Sequence, residues 1–403
     1  MTEIQKFITD LVDDCHEEDV LRTIRKKLLS SEYQVDTNWR DYSNSYILNV
    51  SNRSKLDDAF VRQCNGVIFD QDTHRIICYS FPVFRNEEDY PADPEQEVEA
   101  ESMYDGTLMK LYWCPSENRW RTATTKCFDA SRSRWSSQKT FHELLMNDTM
   151  HDLDLDTLDK NKCYIGILIH PENKLVSDYY HCKNETNRFT TPVFVHTGTC
   201  NLETLEFEDD YEKLASRHAI LPEKKTFSSV ADMKQALLNE KEQPIRPGYV
   251  VKIGTERYKF MTPSYIQNKE LRGNVQNMRY RLLEFQGRDE ILEQFLESFP
   301  EYIDLEKEVK EDVMELSRTI YRHYSNYYFR NQRMRRMPPA IFEAVKAVNW
   351  RYRDELRKVG DKSLVLTNPT TIAQFLVSRY PFDKLVELLG PHYIKNTNRH
   401  KVA

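Results

Sequence analysis

Glycine is scarce in this 403-residue chain, at ten residues, and no long polar low-complexity run accompanies the shortage. Aromatic residues are plentiful instead, with 23 Tyr, 19 Phe and 5 Trp. Such a chain has enough apolar surface to offset the entropy of ordering, so a disordered protein is not expected. No stretch approaches the roughly 20 apolar residues of a membrane span. The start, Met1-Thr-Glu-Ile-Gln-Lys-Phe-Ile-Thr-Asp-Leu11, lacks a basic region leading into an apolar run. A signal peptide is therefore not expected, and neither is a membrane partner; an intracellular protein, cytoplasmic or nuclear, is. Cys-x-x-Cys is missing as well. The eight cysteines (15, 64, 78, 114, 127, 163, 182, 200) include no paired ligand couples. They are expected as buried free thiols rather than as a zinc site. Asp152, Asp154, Asp156 and Asp159 lack the central glycine of a calcium loop and are interleaved with leucines, so no metal is expected there either.

The length leads to an expectation of two or three domains with ample core, and the net charge of −7 does not mark the whole molecule as a polyanion binder. Residues 3–30 carry apolar positions at helical spacing. Gly66-Val-Ile-Phe-Asp70 and Arg75-Ile-Ile-Cys-Tyr-Ser-Phe81 are expected to form a hairpin, followed by an acidic loop through Glu101. Asp105-Gly106 is a turn signal, and Leu108, Lys110 and Tyr112 alternate with Met109, Leu111 and Trp113 as in a buried strand. Residues 119–125 return as a strand, and residues 140–146 suggest a short helix. Cys163-Tyr-Ile-Gly-Ile-Leu-Ile-His170 is expected as a buried strand, with residues 175–180 pairing back on it. A further strand at 193–197, helices at 209–218 and 229–239, and a hairpin of 248–254 with 257–261 complete this part.

From about residue 276 helical periodicity takes over and prolines punctuate the segments. The expected class is α+β: antiparallel sheets with helices over residues 1–270, then an all-α part over 271–403. Charge is segregated within the latter. Residues 282–316 are acidic, whereas residues 318–358 hold eleven Lys/Arg against three Asp/Glu, a local net of +8. Tyr321, Tyr324, Tyr327, Tyr328 and Phe329 interleave there with Arg318, Arg322, Arg330, Arg333, Arg335 and Arg336. Two readings stand side by side. The arginines and rings could hold a phosphate backbone and stack bases, or Ile320 and the tyrosines could be a core stripe with arginines around it.

Several segments, in order over roughly residues 60–266, resemble the bacteriophage-type RNA ligase 1 family within the covalent nucleotidyltransferases. Cys64-Asn-Gly-Val-Ile-Phe-Asp70 resembles that family's Arg-Gly strand, and Phe81-Pro-Val-Phe-Arg-Asn-Glu-Glu88 its continuation. Ser102-Met-Tyr-Asp-Gly-Thr107 is similar to the Lys-x-Asp-Gly nucleophile motif, and Thr124-Thr-Lys-Cys127 to the Ser-Lys-Gly segment after it. Leu168-Ile-His-Pro-Glu-Asn-Lys-Leu-Val176, Gly248-Tyr-Val-Val-Lys252 and Tyr258-Lys-Phe-Met-Thr-Pro-Ser-Tyr265 resemble the third, fourth and fifth motifs. The resemblance implies a nucleotidyltransferase (ATP-grasp-like adenylation) domain followed by an appended helical domain. It also implies a chemistry: a lysine attacks the α-phosphate of ATP, glutamates contact ribose and Mg²⁺, and an arginine and lysines neutralise the phosphates.

This chain departs from that pattern at five positions. The nucleophile position is Met103, the upstream arginine position Asn65, the glutamate positions Ile167 and Pro247, and the second lysine of the fifth motif Met261. Asp105, Gly106, Lys126, Lys252 and Lys259 persist as expected nucleotide contacts. A Lys→Met trap would change Met103 alone. Misregistration would explain one or two departures and bring Lys110 forward as nucleophile, but Lys110 lies on the strand beyond the Asp-Gly turn. A pseudoenzyme explains all five. The leading expectation is an RNA ligase-like protein without lysyl-AMP chemistry that binds RNA or another nucleic acid, or joins protein partners as a subunit of an assembly. An active ATP- and Mg²⁺-dependent RNA ligase with a divergent site, and a structural scaffold, are the alternatives.

Overall fold

The structure is a computed structural model. It describes every residue except 1–2, 16–19, 41–42, 92–94, 182–188, 209–210, 212–213, 215, 240–245, 331–336, 361–366 and 396–403. The chain divides into two compact units, Met1–Gln267 and Asn268–Ala403.

The first unit opens with α1 (Glu3–Asp13) and α2 (Val20–Leu28). Ile4 and Ile8 of α1 and Leu21, Ile24 and Leu28 of α2 recur at helical spacing and are buried on one face. β1 (Asp36–Arg40), β2 (Ser43–Asn49), α3 (Ala59–Gln63), β3 (Val67–Asp70) and β4 (Ile76–Cys78) follow. Asp58 caps α3 by accepting a hydrogen bond from the Phe60 amide at 2.8 Å. The chain continues through β5 (Arg85–Asn86), β6 (Val98–Ser102), β7 (Thr107–Cys114), β8 (Arg119–Thr124), β9 (Lys162–Ile169) and β10 (Val193–Asn201). Short strands β11 (Phe207–Glu208), β12 (Ala219–Ile220) and β13 (Lys224–Phe227) precede α4 (Val230–Asn239) and the hairpin of β14 (Gly248–Ile253) with β15 (Glu256–Met261).

These strands form three sheets, ordered β1-β2-β3-β4, β11-β10-β9-β7-β8 with β12 beside β10, and β13-β6-β14-β15-β5. The pairings are antiparallel except β10 with β12 and β15 with β5. Period-two alternation along β7 explains the layering. Tyr112 and Cys114 join a core shared with α1, α2 and the first sheet, whereas Met109 and Leu111 face a second core built from Phe141, Leu144, Leu145 and Leu168. The second sheet is therefore buried on both faces. The third sheet buries Val98, Ala100, Tyr249, Val251, Tyr258 and Phe260 against α4. Its other face carries Glu101, Val250 and Lys259 in one row, paired across β6, β14 and β15.

α5 (Pro263–Arg272) leads into the second unit, where α6 (Met278–Phe285), α7 (Asp289–Ser298), α8 (Ile303–Tyr324), α9 (Pro339–Val359), α10 (Pro369–Ser378) and α11 (Phe382–Leu389) are the α-helices among the described residues. On α8 the buried positions Glu306, Val309, Val313, Ser317, Ile320 and Tyr324 step by three and four, and α8 packs against α6, α9, α10 and α11. Asn368 and Thr371 close a capping box at α10 with Pro369 in the first turn, and Gly360, at φ +75°, ends α9 in the left-handed region. The α+β class with a helical C-terminal part is the class expected from the sequence.

Two local expectations are corrected. Residues 175–180 form no strand, because the Val176 and Ser177 amides donate to the Asp105 carboxylate at 2.6 and 2.8 Å instead of to β9. Of the expected helix at 209–218, residues 209, 210, 212, 213 and 215 lie outside the described residues and residues 216–218 are not helical; Ala219, just after, pairs with Phe194 as a strand.

Candidate functional site

Between the second and third sheets of the first unit lies a cleft with about 100 Å³ of cavity. Met103 and Tyr104 enter it from the end of β6, Leu108 from β7, Ile167 from β9, Val250 from β14 and Arg257 from β15, with Phe81 and Phe84 closing one side. Two of the five positions singled out in the sequence, Met103 and Ile167, thus face one cavity. Two more adjoin it: the Met103 amide donates to the Gly248 carbonyl at 2.8 Å, and Gly248 pairs in register with Met261 and follows Pro247. Gly248, at φ +139°, is the only residue type this row accepts, since a Cβ there would lie 1.9 Å from the Phe260 carbonyl oxygen. The fifth, Asn65, reaches the cleft wall through a 3.5 Å hydrogen bond from its amide to the Phe81 carbonyl. The structure brings together positions that are far apart in sequence, and apart from Asn65 their side chains are apolar.

The persisting residues separate into those that shape the cleft and those elsewhere. Gly106 crosses β9 so closely that a Cβ would sit 2.5 Å from the Leu168 carbonyl oxygen and 2.6 Å from an Ile167 methyl. Asp105 is buried and accepts from the Val176 and Ser177 amides and, at 2.7 Å, from the Tyr265 hydroxyl, while its own amide donates to the Tyr179 hydroxyl at 2.8 Å. Burial, with the neighbouring Asp105 charge, pushes both tyrosine hydroxyls well above the ordinary phenol range. Asp105 is thereby a structural tie, with both carboxylate oxygens engaged by the protein. Lys252 is held 2.6 Å from Glu101, and Lys259 shares the face of β15 that bears Arg257 and Met261. Arg257 stacks its guanidinium 3.4 Å over the Phe81 ring.

Lys126, among the expected nucleotide contacts, is not in the cleft lining: its ammonium donates to the Val50 carbonyl just after β2. Lys110, the alternative nucleophile, is fully buried and donates to the Gly66 carbonyl at 2.5 Å, so it too lies outside the cleft lining.

One cluster had no signal in the sequence. Asp148, His170 and Glu172 place ligand atoms within 4.8 Å of one another. Lys139 already supplies the cation, 2.7 Å from Asp148 and 3.5 Å from Glu172. The Glu172 amide donates to His170 Nδ1 at 3.1 Å, which leaves the ring proton on Nε2, 3.3 Å from Asp148. Burial lowers the His170 pKa. The four residues form an ion-pair network that joins segment 139–149 to the end of β9.

In the second unit, Ile320 and Tyr324 are buried, as the core-stripe reading has it, whereas Tyr327 and Phe329 are exposed. Arg318 is ion-paired with Glu311 at 2.8 Å and Glu315 at 3.1 Å, and Arg322 and Arg330 are exposed. Arg333, Arg335 and Arg336 lie outside the described residues. No described helix is long and apolar enough to cross a membrane.

No family model matches the chain. Among curated proteins it is 28% identical over 192 residues to a provisionally assigned RNA ligase of African swine fever virus (isolate Pig/Kenya/KEN-50/1950), covering 41% of this chain and 42% of that one. It is 29% identical over 141 residues to the uncharacterised protein ORF64 of Ostreid herpesvirus 1 (isolate France), covering 32% and 33%. The chain thus spans less than half the length of either relative. Among solved structures, an archaeal ATP-dependent RNA ligase aligns with a TM-score of 0.42 at 12% identity, over 77% of this chain and 82% of that one. A Naegleria gruberi RNA ligase variant with ATP and Mn aligns with a TM-score of 0.31 at 13% identity, over 44% and 52%.

Proposed function

We propose that the chain is an RNA ligase-like protein of the nucleotidyltransferase fold that has lost lysyl-AMP chemistry and acts by binding RNA. The observation that carries this reading is the cleft: Met103 and Ile167 face one cavity, and Pro247 and Met261 adjoin it. Formation of a lysyl-AMP needs an amine nucleophile, a carboxylate-held metal and cations on the phosphates, all within about 3 Å of the reacting atoms. At the matching positions this chain places a thioether, a branched alkyl group, a pyrrolidine ring and a second thioether. A thioether has no N–H to lose and cannot form a phosphoramidate. Glu101, the carboxylate among the cleft-lining residues, is neutralised by Lys252. The partial likeness to an African swine fever virus protein assigned as an RNA ligase supports the RNA ligase-like part of the reading.

The test is incubation of the full chain with α-labelled ATP and Mg²⁺ or Mn²⁺, followed by denaturing electrophoresis. No labelled protein is expected, and Met103→Lys alone is expected to restore none, because Ile167 and Pro247 still supply no carboxylate. A labelled wild-type band makes the chain an active ligase and overturns the reading.

A further inference from the structure

We propose that the outer face of α9 is a stacking platform for single-stranded RNA, with Trp350 as the base-stacking ring and Lys346, Arg353 and Arg357 as the phosphate contacts. The inference rests on the RNA-binding reading above and gives it a surface. Lys346, Trp350, Arg353 and Arg357 are spaced four, three and four residues apart, so at 100° per residue they fall in one narrow sector of the helix. The buried positions Ala344, Val345 and Val348 occupy the opposite side. Trp350 is 68% exposed, and the three cations are exposed with it.

Charge on α9 makes the face selective. Its three carboxylates are each taken up by another cation: Glu355 by Arg351 at 2.9 Å, Asp354 by Lys358 at 2.7 Å and Glu343 by Lys384 at 2.6 Å. Among the described residues no carboxylate pairs with Lys346, Arg353 or Arg357. The stripe is therefore a row of net positive charge about 16 Å long at 1.5 Å rise per residue, with Glu343 near Lys346 but ion-paired to Lys384, on a chain whose overall charge is −7. Rings extend it towards the start of the helix. Lys346 sits 4.3 Å over Phe342, and Phe342 meets Tyr327 edge-on at 5.8 Å. A solvent-facing tryptophan among unpaired cations complements a ligand that presents π-faces and a negative backbone together, and a single strand of RNA does so. Duplex RNA hides its base faces, and an acidic peptide offers charge without rings.

The experiment titrates the full-length chain with a fluorescently labelled 12-nucleotide oligouridylate at several salt concentrations. Trp350→Ala is expected to weaken binding by about tenfold, within the range for loss of one stacking ring, and Trp350→Phe to retain most of the affinity. The triple variant Lys346→Gln, Arg353→Gln, Arg357→Gln is expected to flatten the slope of log K against log salt by about 2, at roughly 0.7 for each phosphate that is no longer neutralised. Circular dichroism of each variant checks folding. RNA binding that is unchanged in both variants overturns the platform while leaving the RNA-binding reading in place; no RNA binding by the wild-type chain removes both. Poly-glutamate competing as well as RNA, with Trp350→Ala inert, reassigns the face to an acidic protein and overturns the platform. So does a wild-type dimer that Trp350→Ala converts to monomer.

Discussion

Methionine 103 and aspartate 105 stand two residues apart, and they have had opposite fates. The first faces a cavity among alkyl and aromatic groups; the second is locked by three donors. Replacing Asp105 by Ala leaves two buried amides and a buried tyrosine hydroxyl without their acceptor. At about 1–3 kcal/mol for each orphaned group, the chain is expected to lose about 3 kcal/mol or more of stability, read from urea denaturation. An unchanged midpoint would show that the carboxylate is dispensable to the fold. Gly106→Ala is expected to cost about 1–3 kcal/mol by the same measurement, since the Leu168 carbonyl at 2.5 Å is backbone and cannot swing aside. Packing alone is thus sufficient reason for an Asp-Gly pair at this position.

At the scale of elements, the ends of strands matter most here. β9 ends at a buried histidine whose neutral form is favoured by burial and whose Nε2 faces Asp148. A histidine whose folded pKa is lowered binds fewer protons folded than unfolded between that pKa and about 6.5. Its contribution is therefore present above about pH 6.5 and lost as pH falls through the folded pKa. His74 and His142 are lowered by burial in the same sense. The urea midpoint is expected to drop between pH 7.5 and 5.5, and His170→Gln is expected to shrink that drop. An identical pH profile in the variant would remove His170 from the account.

Across the whole molecule, thiols and charge follow the sequence in different ways. The seven described cysteines are all free, and Cys64, Cys78, Cys114, Cys163 and Cys200 are buried, so none is placed as a structural crosslink. Brief alkylation of the native chain followed by mass spectrometry is expected to label Cys15 and Cys127 well before those five. Early labelling of Cys78 or Cys163 would mean that the core around β4 and β9 opens. Charge is concentrated instead of averaged: the same chain that is −7 overall carries +8 over residues 318–358. RNA affinity that falls steeply with salt is the expected signature of that segregation.

The alternation along β7, the Asp-Gly turn, the β14–β15 hairpin and the helical C-terminal region were legible because each depends on local periodicity or on a turn residue. The same periods left two readings open at Ile320 and Tyr324, and only packing buried both against the neighbouring helices. Other features depended on which distant segments meet. Asp105 took the amides of residues 176 and 177 and cancelled an expected strand. Lys126 turned to Val50. Lys139, Asp148, His170 and Glu172 converged from separate segments without a motif. Sequence alone determined the α+β class, most of the elements and the presence of a thioether at position 103, since these depend on residue type and spacing. Tertiary structure alone decided that Met103 and Ile167 face one cavity, with Pro247 and Met261 beside it. Strand register and sheet packing choose a cavity's neighbours, and neither is written into any single stretch of chain.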